Sequence, residues 1–242
     1  MTRSASRWSY ETCHAFESLR TPTELIWDGY LGEDDDYMDA CLAHALKAEQ
    51  NAVVVSSHSL SKRLVRMVLN GLAKNIYTYR DPRDSIASIM RIASDEYEAA
   101  FTKVYTSLLL FDLFSGDKYS LLLAYSDIMD DAIGMTAKIS KYLDFGLTDE
   151  EIRAVHLNTQ KLAIERRNEQ RRRMAHSTLD AEKIDAGFES MKGEATSAPK
   201  IDNPWRYSAL NEDQYAEATH RLRPWLLKMN FSLSPIPPWR QG

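Results

Sequence analysis

Hydrophobic residues along the chain form two kinds of pattern: short β-branched or aromatic runs, and longer segments with helical spacing. The short runs predict strands at 51–56, 74–80 and 119–125. The helical spacing predicts helices at 9–20, 37–48, 62–72, 82–94, 95–115, 130–145, 148–176 and 211–228. Because strands separated by helices favour a parallel sheet covered on both faces, we predict an α/β fold with a mainly parallel sheet flanked by helices.

The turn after the second predicted strand carries two arginines and two aspartates. Asp81 can cap a helix whose first residue is a proline, and Asp84 in the first turn suits the helix dipole. Two interpretations follow. Arg80 and Ser88 can hold a phosphate between a guanidinium and a hydroxyl, or Arg80 and Arg83 simply pair with the two aspartates on a surface turn.

The chain of 242 residues predicts a single domain over 1–242. Thr148 and Glu151 form a capping-box pattern at the start of the helix predicted from 148. The polar stretch 190–204 predicts a mobile loop, and the proline-rich tail 232–242 predicts an irregular end.

Composition excludes several classes of function. A net charge of −5 argues against nucleic acid or an anionic membrane as the main partner. No apolar run reaches the length of a membrane span, and the N-terminus lacks the apolar region of a signal peptide. Cys13 and Cys41 have no metal-ligand spacing. We therefore expect a soluble cytoplasmic protein without a metal.

Arg80 at a strand end and Ser88 eight residues later resemble the 3′-phosphate-binding segment of sulfotransferases that use 3′-phosphoadenosine 5′-phosphosulfate (PAPS). That family opens with a phosphate loop of the form Lys/Arg-Ser-Gly-Ser/Thr-Thr-Trp. The matching residues here are Arg3, Ser4, Ala5, Ser6, Arg7 and Trp8. The resemblance implies that this loop binds the 5′-phosphosulfate, with Arg3 supporting catalysis.

The phosphate-loop segment departs from the family in two ways. Ala5 stands where the family has glycine, which restricts the backbone where a phosphate must approach closely. Only two residues precede Arg3, whereas a phosphate loop follows a strand. We therefore expect a P-loop sulfotransferase-like fold that lacks the first, phosphate-loop strand.

Two further strand ends resemble the family. The segment 53–60 is similar to a strand ending in Lys-Thr-His, which implies that His58 is the general base and leaves Ser56 in the lysine position. Tyr125 ends a segment similar to one whose tyrosine lies near the adenine. The alternatives are a strand-end histidine satisfied by hydrogen bonds and a tyrosine that packs in the core.

Near the C-terminus, Pro204-Trp205-Arg206 resembles the family's closing Gly-x-Trp-Arg/Lys segment. The loop before that tryptophan supplies a basic residue and a glycine to the 3′-phosphate in the family. Lys192 and Gly193 match by residue type, and Lys200 matches by its distance from Trp205. All three are candidate cofactor-binding residues.

The resemblance implies transfer of a sulfuryl group from PAPS to a hydroxyl or amine of a small-molecule acceptor, with 3′,5′-adenosine bisphosphate as product. Compact bacterial small-molecule sulfotransferases, including those of cyanobacterial natural-product pathways, are similar in size. The acidic run 33–36 favours a cationic acceptor or is a solvated charge run. The basic run 161–173 contacts an anion or is an exposed helix face balanced by neighbouring acids.

Two competing functions remain at the level of sequence. A nucleotide kinase would need Gly-x-x-x-x-Gly-Lys-Ser/Thr, which this chain lacks. A non-catalytic descendant of the sulfotransferase fold, which binds a nucleotide or a partner, is favoured by Ala5, by Ser56 and by the absent first strand.

Overall fold

A computed structural model of the protein describes residues 6–20, 54, 62–160 and 209–237. The strands are β1 (Asn75–Tyr79) and β2 (Ser120–Ala124). The helices are α1 (Ser6–Arg20), α2 (Lys62–Leu69), α3 (Pro82–Ala93), α4 (Tyr97–Phe114), α5 (Tyr125–Asp130), α6 (Ala132–Leu143), α7 (149–160), α8 (Glu212–Arg221) and α9 (Arg223–Lys228).

The two strands pair in parallel, with Tyr77 opposite Leu122 and Tyr79 opposite Ala124. The connection between them contains α3 and α4, because parallel neighbours need a crossover and cannot be joined by a tight turn. The predicted α/β class and the strands near 74–80 and 119–125 are therefore confirmed. A P-loop sulfotransferase fold, with or without its first strand, stays a prediction.

Side chains alternate between the two faces of the strand pair, so each face contributes to its own hydrophobic core. Tyr77 belongs to a first core cluster, in which its ring lies 6.2 Å from the rings of Phe111 and Phe114. Leu123 belongs to a second core cluster with Phe16 of α1. Helices thus cover both faces of the sheet, as the pattern of strands and helices predicted.

The first core cluster is the larger one and joins the strand pair to helices that lie before, between and after the two strands in the chain. It includes Ile86 of α3, Leu108 of α4, Leu222 beside α8 and Leu226 of α9, all fully buried. Burial of each such side chain contributes about 1.5–3 kcal/mol.

The Tyr77 hydroxyl is a polar group of this core. It donates to the Ser107 carbonyl at 2.5 Å, and burial raises the pKa of this phenol far above its usual value.

The second core cluster supports the side of the sheet on which α1 lies. It combines Cys13 and Phe16 of α1 with Ile139 of α6 and Val155 of α7. The Phe16 and Phe145 rings lie 5.4 Å apart. Helix α1 therefore packs against β1 and α6, and its predicted start at residue 9 moves to Ser6.

The cap at Thr148 confirms one predicted helix boundary, whereas another predicted boundary is wrong. Thr148 and Glu151 form the expected reciprocal hydrogen bonds at the start of α7, with N–H to oxygen distances of 2.8 and 3.3 Å. The helix predicted at 62–72 ends earlier, at Leu69, because Gly71 turns the chain with φ +72°.

The single helix predicted at 211–228 is wrong, because the structure has two helices there with Leu222 between them. Pro224 has no N–H for the carbonyl of His220, so the first helix ends at Arg221 and a new one starts at Arg223. Residues 229–237 are not helical, and the rest of the predicted tail, 238–242, lies outside the described residues.

Other predicted elements fall mostly on residues outside the described part. The strand predicted at 51–56 contributes only Val54 to the description, and this residue has no regular secondary structure and packs against the second core cluster. The helix at 37–48, the helical stretch beyond residue 160 and the loop at 190–204 lie outside the described residues.

Candidate functional site

The carboxyl ends of β1 and β2 bring two of the predicted cofactor-binding residues together. Arg80 follows β1 directly, and Tyr125 follows β2. Since Tyr79 lies opposite Ala124, the next residue of each strand reaches the same edge of the sheet. The Arg80 guanidinium carbon lies 5.7 Å from the centre of the Tyr125 ring. Open α/β sheets bind their ligands at this edge.

The first turn of α3 holds Arg80. Its Nε donates to Ser85 Oγ at 3.2 Å and its Nη2 donates to the Asp84 carbonyl at 2.9 Å. Its Nη1 lies 3.0 Å from Asp84 Oδ2, and the side chains of this pair are 11% and 3% exposed. The Arg80 charge is therefore balanced by a neighbouring carboxylate in a largely buried setting.

Arg83 is the second arginine of the turn, and it is only 1% exposed. It makes two hydrogen bonds to the Asp81 carboxylate, from Nε at 3.0 Å and from Nη2 at 2.7 Å. Its Nη1 donates to Thr219 Oγ1 at 3.1 Å, and its guanidinium lies 4.8 Å from the centre of the Tyr215 ring. Arg83 thus joins α3 to α8.

One interpretation of the sequence is that the two arginines only pair with the two aspartates on a surface turn. The observed contacts revise this interpretation. Each arginine does pair with an aspartate, but both pairs lie in the interior and not on the surface. An anion that binds Arg80 would compete with Asp84 for the same guanidinium.

Ser88 is buried in α3, with 6% of its surface exposed. It lies one helical turn beyond Asp84, so both residues occupy the same side of α3. The helical spacing therefore places the Ser88 hydroxyl on the helix side that carries the Arg80–Asp84 pair.

The start of α3 is capped as predicted. The Asp81 carboxylate accepts a hydrogen bond from the Arg83 N–H at 2.9 Å.

The phosphate-loop candidates Ser6, Arg7 and Trp8 form the first turn of α1. Arg7 pairs with Glu11 through Nε and Oε1 at 3.1 Å, and its side chain is 58% exposed. Trp8 is partly buried against the second core cluster. The remaining loop candidates Arg3, Ser4 and Ala5 lie outside the described residues.

The other candidates also lie outside the described residues. They are His58, Lys192, Gly193 and Lys200, together with the acidic run 33–36 and the basic run 161–173. Their roles stay predictions. In the described ranges, no group of His, Cys, Asp and Glu side chains could hold a metal ion.

Two residues of the site were missed from the sequence. Tyr215 and Thr219 lie one turn apart in α8, and both contact Arg83 of α3. Burial raises the pKa of the Tyr215 phenol to about 12, against the opposing effect of the Arg83 charge. A Tyr and a Thr four residues apart share a helix face, but nothing in their spacing names a partner more than a hundred residues earlier in the chain.

None of the helices in the described ranges combines the length and the hydrophobicity of a transmembrane span. No protein-family model matches this chain, and neither a curated protein nor a solved structure matches it.

Proposed function

We propose that this protein binds PAPS at the carboxyl ends of β1 and β2 and transfers its sulfuryl group to a hydroxyl or amine of a small-molecule acceptor. The observation that supports this most is the 5.7 Å approach of Arg80 to the Tyr125 ring. The resemblance assigns these residues to the 3′-phosphate and to the adenine of one nucleotide. They follow different strands and meet at the edge where open α/β sheets bind ligands.

The proposal gives each part of the nucleotide its own residues. Arg80 and Ser88 hold the 3′-phosphate, with a basic residue from Lys192 or Lys200 beside them, and Tyr125 contacts the adenine. The loop from Arg3 to Trp8 binds the 5′-phosphosulfate through side chains and helix-end amides.

The reaction exchanges one bond to sulfur for another. The acceptor oxygen or nitrogen forms a bond to sulfur while the bond from sulfur to the bridging phosphate oxygen breaks, which releases 3′,5′-adenosine bisphosphate. His58 takes the acceptor's proton. Arg3 and the helix-end amides stabilise the charge that develops on the leaving phosphate. The acidic run 33–36 would favour a cationic acceptor.

Asp84 offers the sharpest test of nucleotide binding. Its carboxylate already neutralises Arg80, so a 3′-phosphate must share or displace it. We expect Asp84→Asn to bind 3′,5′-adenosine bisphosphate several-fold to about 10-fold more tightly than the wild type in calorimetry, since a charge-assisted contact becomes available. The matched control is Asp149→Asn, which removes the same charge from an exposed carboxylate at the start of α7 and should leave the affinity unchanged.

A wild-type protein that gives no binding heat at about 1 mM bisphosphate would overturn the proposal, because that limit corresponds to only ~4 kcal/mol of binding free energy. Equal tightening in Asp149→Asn and in Asp84→Asn would instead show that general electrostatics, and not the Arg80 site, governs the interaction.

Chemistry is tested separately from binding. Radiolabelled sulfate should pass from PAPS to members of a small-molecule panel, and His58→Ala should lower turnover by about 10²–10⁴-fold, the usual contribution of a general base. The variant should keep its affinity for the bisphosphate, because His58 contacts the acceptor and not the adenosine.

A second candidate function is a non-catalytic nucleotide- or partner-binding protein. The observation that favours it is the Arg80–Asp84 pair, since a carboxylate already balances the charge that a 3′-phosphate would meet. Binding of the bisphosphate without sulfate transfer to any acceptor in the wild type would select this candidate.

A further inference from the structure

Arg83 stands out because it is the largest fully buried side chain in the described part of the protein. A buried guanidinium needs partners for its N–H groups, and these come from two separate segments of the chain. Asp81 belongs to the turn after β1, whereas Thr219 and Tyr215 belong to α8. One side chain therefore ties the turn to a helix near the C-terminus.

The Asp81 carboxylate has two tasks in this arrangement. Its Oδ1 accepts the Arg83 backbone N–H at 2.9 Å, which caps α3, and the Arg83 Nε at 3.0 Å. Its Oδ2 accepts from Arg83 Nη2 at 2.7 Å. Because the guanidinium is planar and rigid, its position fixes the carboxylate and therefore the cap.

The capped turn is also the turn that holds Arg80. Arg80 donates to Ser85 Oγ and to the Asp84 carbonyl, both within the first turn of α3. A change in the cap would move the two acceptors that orient the Arg80 guanidinium. The contacts thus form a continuous path from Thr219 through Arg83 and Asp81 to Arg80.

We infer that Arg83 is a positioning residue that couples the docking of α8 to the geometry of the Arg80 turn, and through it to the affinity for a nucleotide 3′-phosphate. The effect on nucleotide affinity rests on the proposed function. The structural part of the inference, that α8 orders the first turn of α3, is independent of it.

The test uses two threonine variants that differ in one contact. Thr219 and Thr136 are both buried, and each donates to the carbonyl four residues earlier at 2.8 Å. Only Thr219 also accepts from Arg83. Thr219→Val therefore removes the hydrogen bond to α3 as well and leaves the Arg83–Tyr215 ring contact. Thr136→Val removes only the local hydrogen bond within α6.

Two readouts are measured on the full chain well below its melting temperature. In calorimetry, Thr219→Val should bind 3′,5′-adenosine bisphosphate about 5-fold or more weakly, the lower range of usual coupling between sites. Amide hydrogen exchange at residues 83–88 should become faster. Thr136→Val should leave both unchanged. Arg83→Lys, which keeps the charge but loses the two-pronged contact, should weaken binding without preventing it.

The outcomes separate this inference from the proposed function. If the wild type binds and both threonine variants behave alike, the inference is overturned and the proposed function stands. If the wild type does not bind the bisphosphate, the proposed function fails, and hydrogen exchange alone tests whether α8 orders the first turn of α3. Faster exchange at 83–88 in Thr219→Val but not in Thr136→Val then supports this coupling. Equal protection in both variants overturns it.

Discussion

The two ends of the strand pair each carry an ion pair of nearly the same length in very different surroundings. At the carboxyl end, Arg83 and Asp81 lie 2.7 Å apart with side chains 2% and 6% exposed. At the amino end, Lys74 and Asp144 lie 2.6 Å apart with side chains 39% and 84% exposed. The two pairs therefore differ in burial and not in distance.

The difference matters because water decides what an ion pair contributes. An exposed pair contributes about 0–1 kcal/mol, since solvent screens it and both side chains lose freedom. Loss of one partner from a buried pair costs about 3–5 kcal/mol, because the other charge stays buried without compensation. The amino end is instead joined by Tyr142, whose hydroxyl donates to the Tyr119 carbonyl at 2.5 Å and accepts from the Asn75 N–H at 3.2 Å.

The largest expected effect follows from removal of the buried guanidinium. Arg83→Met retains a long side chain but removes the guanidinium. The Asp81 carboxylate therefore loses its two side-chain hydrogen bonds from Arg83. We expect the free energy of unfolding to fall by about 3–5 kcal/mol, measured by urea denaturation. The double variant Arg83→Met/Asp81→Asn should regain part of this loss, and a single-variant loss below about 1 kcal/mol would remove the contrast between the two ends.

The next effect appears at high pH. The Tyr215 phenol stays protonated in the folded protein up to a pKa of about 12, whereas in the unfolded chain its pKa is the usual 10.0. The unfolded state therefore loses its proton first, and the contribution of Tyr215 to stability is complete below pH 10 and is lost as the pH rises toward 12. Tyr215→Phe has no phenol to deprotonate, so its stability should not fall for this reason.

Urea unfolding at several pH values between 9 and 11.5 checks this prediction. Above pH 10 the unfolding free energy of the wild type should fall more steeply than that of Tyr215→Phe, by up to about 1.4 kcal/mol per pH unit. Parallel curves for the two proteins would show that burial in the folded protein does not raise the pKa of the Tyr215 phenol.

The smallest effect is expected at the exposed pair. Lys74→Ala removes the contact with Asp144 and a hydrogen bond to the Tyr142 carbonyl. We expect a loss of no more than about 1 kcal/mol, because both groups are solvated again when they separate. The difference from the wild type should shrink in about 1 M salt, where the Debye length is near 3 Å. A loss as large as that of Arg83→Met would contradict the comparison.

Local patterns in the sequence were sufficient to predict the turn and the strands around it. The Asp81 cap and β1 depend on neighbouring residues, so spacing and residue type determine them. The parallel pairing with β2 followed from the alternation of strands and helices. The break at Leu222 could have been found, since Pro224 lies within the predicted helix.

Contacts between distant segments could not be predicted in the same way. The sequence offered Asp81 and Asp84 as partners for two arginines, but it did not show that both pairs are buried. Burial depends on α8, whose Thr219 and Tyr215 reach Arg83 only after the chain has folded. The role of Arg80 in binding, unlike its position, stays a prediction.

The most direct test of the central claim compares two nucleotides that differ only in the 3′-phosphate. Calorimetry on the wild type should give about 10–100-fold tighter binding of 3′,5′-adenosine bisphosphate than of adenosine 5′-monophosphate, the value of one or two charge-assisted hydrogen bonds. Ser88→Ala should lose much of that preference. Equal affinity for the two nucleotides, or no affinity for either, would contradict a phosphate site at Arg80 and Ser88.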